Sequence, residues 1–97
     1  MAAPVVVAPV PVVVAAGPPV APGGLEYGWN RYGSDYNGFD LPEARPELCR
    51  DWCASQAQCR AFTYVAPGRQ GPAPRCWLKA AIPPPNRDDC CTSGVVR

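Results

Sequence analysis

Three cysteines fall within CRDWCASQAQCRAFTYV, residues 49–65, and three more follow, giving the series Cys49-x3-Cys53-x5-Cys59-x16-Cys76-x13-Cys90-Cys91. Sulfur at this density has three chemical uses: holding a metal, exchanging disulfides, or cross-linking a chain too small to hold itself together. Zinc sites favour Cys-x-x-Cys knuckles, often with histidine, because a two-residue turn aims both thiolates at one ion. The chain has no Cys-x-x-Cys and no histidine, so metal binding is a poor reading. Thiol–disulfide oxidoreductases also rely on Cys-x-x-Cys at a helix start. A disulfide framework is the use that remains, and its connectivity is open at this level.

Other chemistry is thin. Without histidine there is no ordinary base for a serine or cysteine nucleophile. Asp35, Asp40, Asp51, Asp88 and Asp89 are raw material for a carboxylate pair, but each reads first as a turn residue or a solvated charge. Asp35, between Gly33 and Tyr36, is expected to organise a turn. Asp88 and Asp89 lack the regular oxygen ligands of a calcium loop around them. Gly68-Arg69-Gln70-Gly71 is too short for a phosphate loop and follows Pro67 instead of opening a helix. No catalytic residue, metal or cofactor is expected.

The elements that must position the cysteines come from a small chain. Its 97 residues allow one domain, and the first 25 look unable to build a core, which leaves roughly 70 residues to fold. Domains of that size gain only about 3–5 kcal/mol from apolar burial and commonly add disulfides or a metal. The net charge is +1, with acids and bases interleaved. Neither a basic face for nucleic acid nor an acidic tail emerges, so no nucleic-acid partner is expected.

Residues 1–25 are a Pro/Val/Ala-rich segment without a charged side chain. Its hydrophobicity suggests a membrane span, but Pro4, Pro9, Pro11, Pro18, Pro19 and Pro22 would each break a helix, so no stable span is expected. An extended linker is the leading reading and a degenerate export signal, lacking a basic n-region, the second. On the linker reading, Met1 is expected to lie inside a longer exported polypeptide. Residues 26–97 are expected to form the domain.

From Glu26 the texture becomes aromatic and glycine-punctuated, which predicts short strands and tight turns, with Trp29, Tyr32, Tyr36, Phe39 and Leu41 as burial candidates. PELCRDWCASQ, residues 46–56, predicts a helix: Pro46 suits its first turn and Glu47 the dipole, while Arg45 is a poor N-cap. Leu48, Cys49, Trp52 and Cys53 then make one apolar stripe. Cys49 and Cys53 cannot easily bond each other along a regular helix, so each must find a partner packed on that face. RAFTYV, residues 60–65, alternates as a half-buried strand, with Phe62 and Tyr64 on one side and Ala61, Thr63 and Val65 on the other. PGRQGPAP is a loop, RCWLK at 75–79 a strand, and CCTSGVVR a terminal strand.

Taken in order, Gly-x-Asp-Tyr-x-x-Phe-x-Leu (Gly33 to Leu41), the helix with Cys-x3-Cys, Cys-x-Ala-Phe-Thr-Tyr-Val (Cys59 to Val65), Cys-Trp-Leu-Lys (Cys76 to Lys79) and Ser-Gly-Val (Ser93 to Val95) resemble the PAN/apple domain family, especially its short bacterial members. The resemblance covers roughly residues 27–96 and implies an α+β fold: a small disulfide-stapled domain whose antiparallel curved β-sheet cradles one α-helix. It also implies that Cys49 pairs with Cys76 and Cys53 with Cys59. Full apple domains add a bridge between cysteines near the two termini, and residues 1–48 hold no cysteine to make it. Cys90 and Cys91 sit together instead. A vicinal disulfide leads for them, ahead of two free thiols, an intermolecular bridge or reshuffled pairing.

The resemblance, with the missing catalytic set, implies a non-catalytic, extracytoplasmic (periplasmic or secreted) binding module for protein or carbohydrate ligands. The alternative is a structural or regulatory accessory domain of a larger exported bacterial protein or enzyme, and an enzyme in its own right comes third. Alternation in RCWLK puts Cys76 and Leu78 on one side. If Cys76 reaches the helix, Trp77 and Lys79 face away, where a flat apolar ring beside a cation suits a sugar or an acidic peptide. Trp77, Lys79, Arg69 and Arg75 are therefore the ligand-binding candidates, against the competing reading that Trp77 merely packs under another segment. Tyr27, Trp29 and Arg31 come next.

Overall fold

A computed structural model describes residues 17–97; residues 1–16, most of the segment read as a linker, lie outside the described part. Pro18 is buried, and the chain then doubles back through Pro22, Gly23 and Gly24. Both glycines hold φ near +80°, where an L side chain is strained, and this turn lets the Ala21 N–H donate to the Leu25 carbonyl at 2.8 Å. Leu25 is 2% exposed and part of the core. A domain limit drawn at residue 26 from composition thus excludes a side chain that the core uses.

Six elements follow: β1 (Glu26–Asn30), β2 (Asp35–Asp40), α1 (Pro46–Ala54), β3 (Ala61–Val65), β4 (Arg75–Lys79) and β5 (Asn86–Val95). The strands form one sheet in the order β1-β5-β3-β4-β2, every neighbouring pair antiparallel. Gly33 at φ 94° and Ser34 at φ 60° turn the chain between β1 and β2. Pro46 and Glu47 open α1, and Arg45 gives no side-chain cap. The helix stops two residues short of the expected Gln56. Its exposed carbonyls are met from a distance: the Arg97 guanidinium donates to Ala54 at 2.9 Å and to the carbonyls of Gln56 and Cys59, supplying the donors a helix end lacks.

The helix packs on β3 and β4. Cys49 sits at disulfide distance from Cys76 of β4 (Cα–Cα 5.3 Å) and Cys53 from Cys59 ahead of β3 (5.1 Å). Around these sulfurs gather Phe62, Tyr64 and Leu78 of the sheet, with Leu25 and Leu41. The result is the small α+β architecture of one helix on an antiparallel sheet.

Three expectations are corrected. All five residues of β3 are buried, not one face of them, because β3 lies between β5 and β4 and the segment 30–35 covers its second face, with Asn30 bonded to Thr63. Trp52 is 50% exposed; it packs edge-on against Phe39 of β2, with ring centroids 5.2 Å apart. Of the five burial candidates before α1, only Leu41 is fully buried, and Tyr32 is 56% exposed. In addition, β5 starts at Asn86, four residues ahead of the expected Cys90.

Candidate functional site

Because Cys76 and Leu78 point at α1, Trp77 stands on the opposite face, paired in register with Thr63 on one side and Gly38 on the other. Gly38 lets it lie flat: a Cβ at that position would collide with three atoms of the indole ring. Arg75 places its guanidinium 4.8 Å from the ring centroid and is held by Asp40 at 3.1 Å, a cation–π contact reinforced by an ion pair. The indole Nε1–H donates to Gln70 Oε1 at 2.8 Å, tying the 66–74 loop to the strand. Trp77 is partly exposed and fixed from three directions.

A cleft of ≈ 180 Å³ opens beside it, with Tyr32 and Trp77 among its walls and Asn30, Asp35, Thr63 and Gln70 offering polar groups. The floor is hydrogen-bonded: Thr63 Oγ1 donates to Asn30 Oδ1 at 3.0 Å and lies 3.0 Å from Ser93 Oγ. Tyr32 is positioned by its hydroxyl, which donates to Asp88 Oδ2 at 2.5 Å. That donation holds the Asp88 carboxyl below its ordinary range, and the same carboxylate pushes the Tyr32 phenol above its own.

The four ligand candidates do not act together. Trp77 and Arg75 do. Lys79 is 2% exposed, and its ammonium bonds Asp35 at 2.5 Å and the Gly33 carbonyl at 3.0 Å. It belongs to the floor of the cleft and offers no surface cation, because the turn before β2 folds over it. Arg69 turns away to Asp89 at 3.4 Å. The fallback residue Arg31 is 8% exposed, bidentate to Glu26 at 2.9 and 2.8 Å and donating to the Pro83 carbonyl at 2.7 Å. That charge is spent inside the protein. Sequence reasoning does not single out Tyr32, Gln70 or Gly38: hydrophobicity assigns Tyr32 to the core, and the position of Gln70 depends on loop folding.

A family model described as a PAN domain matches residues 29–79, just over half of the chain, from the end of β1 through β4 and including both helical cysteines. The chain belongs to the PAN domain family. Comparisons with curated proteins and with solved structures gave no match. PAN domains are generally binding modules for proteins or carbohydrates and not catalysts.

In this PAN domain the aspartates considered for acid–base chemistry all have partners: Asp35 with Lys79, Asp40 with Arg75, Asp51 with Arg50, Asp88 with Tyr32 and Asp89 with Arg69. Asp88, Cys90 and Cys91 bring ligand atoms within 4.8 Å of one another. The two sulfurs are bonded to each other, so no thiolate is offered to an ion. No helix among the described residues is long and apolar enough to cross a membrane.

Proposed function

We propose that this PAN domain is a non-catalytic binding module acting outside the cytoplasm, and that its ligand, a carbohydrate, enters the cleft between Tyr32 and Trp77. The observation that carries the reading is the fixed, partly exposed indole of Trp77, held flat against Gly38 by Arg75 and Gln70. Partial exposure alone is common for tryptophan. This one leaves part of its indole exposed beside hydroxyl, amide and carboxylate groups, a combination suited to the apolar patches and the hydroxyls of a sugar ring. Pre-organisation matters because ordering a side chain on binding costs about 0.5–1.5 kcal/mol. The extracytoplasmic part of the reading is supported by the disulfides, which persist in oxidising compartments.

The test is an array of glycans and proteins screened with the parent and with Trp77→Ala, each first shown to be folded by its thermal transition. The reading expects glycan hits that Trp77→Ala abolishes. Hits that survive in the folded variant place the ligand elsewhere, and hits confined to proteins exclude the carbohydrate.

A further inference from the structure

The pairing of β1 with β5 is broken in the middle. Tyr27 stands opposite Thr92 and Trp29 opposite Arg87, so Gly28 alone faces the four residues Asp88 to Cys91. Gly28 holds φ 79°, and the vicinal Cys90–Cys91 pair closes the looped-out segment on the other strand. The break opens a depression of ≈ 500 Å³ lined by Tyr27, Gly28, Trp29, Arg87, Asp88 and Asp89. None of this surface belongs to the walls of the Trp77 cleft.

Arg87 is the unusual group. Its guanidinium lies 5.6 Å from the Trp29 ring centroid, which fixes its direction, yet among the described residues it makes no ion pair or hydrogen bond. The acids next to it in sequence are engaged elsewhere, Asp88 with Tyr32 and Asp89 with Arg69. A planar fork of donors held in place without an acceptor matches a carboxylate. Beside it, Tyr27 is 53% exposed and provides a flat ring for stacking, while Asp89, 88% exposed and meeting Arg69 through Oδ1 alone, keeps Oδ2 as an acceptor. Two aspartates at the rim disfavour a densely charged polyanion but tolerate one negative charge at the fork.

From this we infer a second binding site, at the break between β1 and β5, for a uronic-acid residue of a polysaccharide. Arg87 holds the carboxylate, Tyr27 stacks on the pyranose ring, Asp89 accepts from a hydroxyl, and Trp29 acts as a positioning residue for Arg87. A uronate fits better than a peptide carboxylate because the apolar contact is a flat phenol and the remaining rim groups are acceptors, as a hydroxyl-rich ring needs. The site shares no lining residue with the Trp77 cleft, the Tyr32–Asp88 hydrogen bond running between the two.

Titration calorimetry with tri-galacturonate, its methyl ester, neutral galactotriose and an acetylated Asp-Glu-Asp peptide, on the oxidised full chain, tests it. Tri-galacturonate should bind the parent and the Trp77→Ala variant alike. Arg87→Gln should weaken it by at least about tenfold, the loss expected for a charge-assisted hydrogen bond, and Arg87→Lys should fall between, because it keeps charge and loses the fork. Trp29→Phe should weaken binding less than Arg87→Gln while its thermal transition persists. The proposal is overturned by the absence of tri-galacturonate binding at millimolar concentration. Equal binding of the ester or the neutral sugar, unchanged affinity in folded Arg87→Gln, or tighter Arg87-dependent binding of the peptide would each overturn it too.

Discussion

The Tyr32 hydroxyl reaches across 56 residues of sequence to donate to Asp88 Oδ2 at 2.5 Å, joining the turn that walls the Trp77 cleft to the looped-out part of β5. Asp88 titrates lower in the fold because the phenol donates to its ionised form, and Tyr32 titrates higher because ionising it would break the bond and set two anions together. A lowered carboxyl contributes stability above its ordinary pKa and loses it as pH falls through the folded value. A raised phenol contributes below its ordinary pKa and loses it as pH rises through the folded value. The latch is therefore at full strength between the ordinary carboxylate and phenol ranges. Tyr32→Phe should return the Asp88 carboxyl shift, followed by NMR, toward an ordinary titration. An unmoved titration would remove the latch.

The disulfides differ in the loop they close: 27 residues for Cys49–Cys76 and 6 for Cys53–Cys59. Loop-closure entropy makes the first worth roughly 1 kcal/mol more, within a typical range of ~2–4 kcal/mol per bridge. Cys49→Ala/Cys76→Ala should lower the denaturation midpoint more than Cys53→Ala/Cys59→Ala, and full reduction should unfold a domain of this size. Non-reducing peptide maps verify the pairing. A reduced protein that keeps its transition would contradict the stapling.

Lys79 is buried with its charge, and Asp35 is its only carboxylate partner among the described residues. Asp35→Asn should cost about 3 kcal/mol, the low end for breaking a buried pair, since Asp35 itself is one-third exposed. Denaturant unfolding measures this; a loss below about 0.5 kcal/mol would class the pair with surface salt bridges.

Gly38→Ala places a methyl where the Trp77 ring lies. Overpacking of this kind costs about 1–3 kcal/mol. It should also swing the indole off Gln70, so ligand affinity and the Nε1–H environment change together while the disulfides stay intact. An unaltered indole signal would mean the ring is not seated on Gly38.

What could be read from the sequence was whatever depends on neighbours in sequence. Proline and glutamate at the start of α1, the alternation in RCWLK that separates Cys76 from Trp77, and the glycine-marked turns all rest on local rules. The α+β class and family came from the order of short motifs, not from any one of them. What could not be read depends on distant partners. Lys79 resembles a surface cation until Asp35, 44 residues earlier, is folded over it, and Arg31 until Glu26 and Pro83 surround it. Asn86 to Asp89 have poor strand propensity; they extend β5 because β1 pairs with its first residues, Asn86 and Arg87.

The central claim is that the exposed part of the Trp77 indole receives the ligand. Its indole Nε1–H, bonded to Gln70, is one of three tryptophan indole N–H groups in the chain, and its NMR signal, assigned by its loss in Trp77→Ala, reports on this cleft. On titration with a glycan selected by the array, that resonance and the Gln70 side-chain amide should shift most, in step with occupancy and before the amides of α1 on the opposite face. A glycan that saturates the protein while both signals stay in place would contradict the claim.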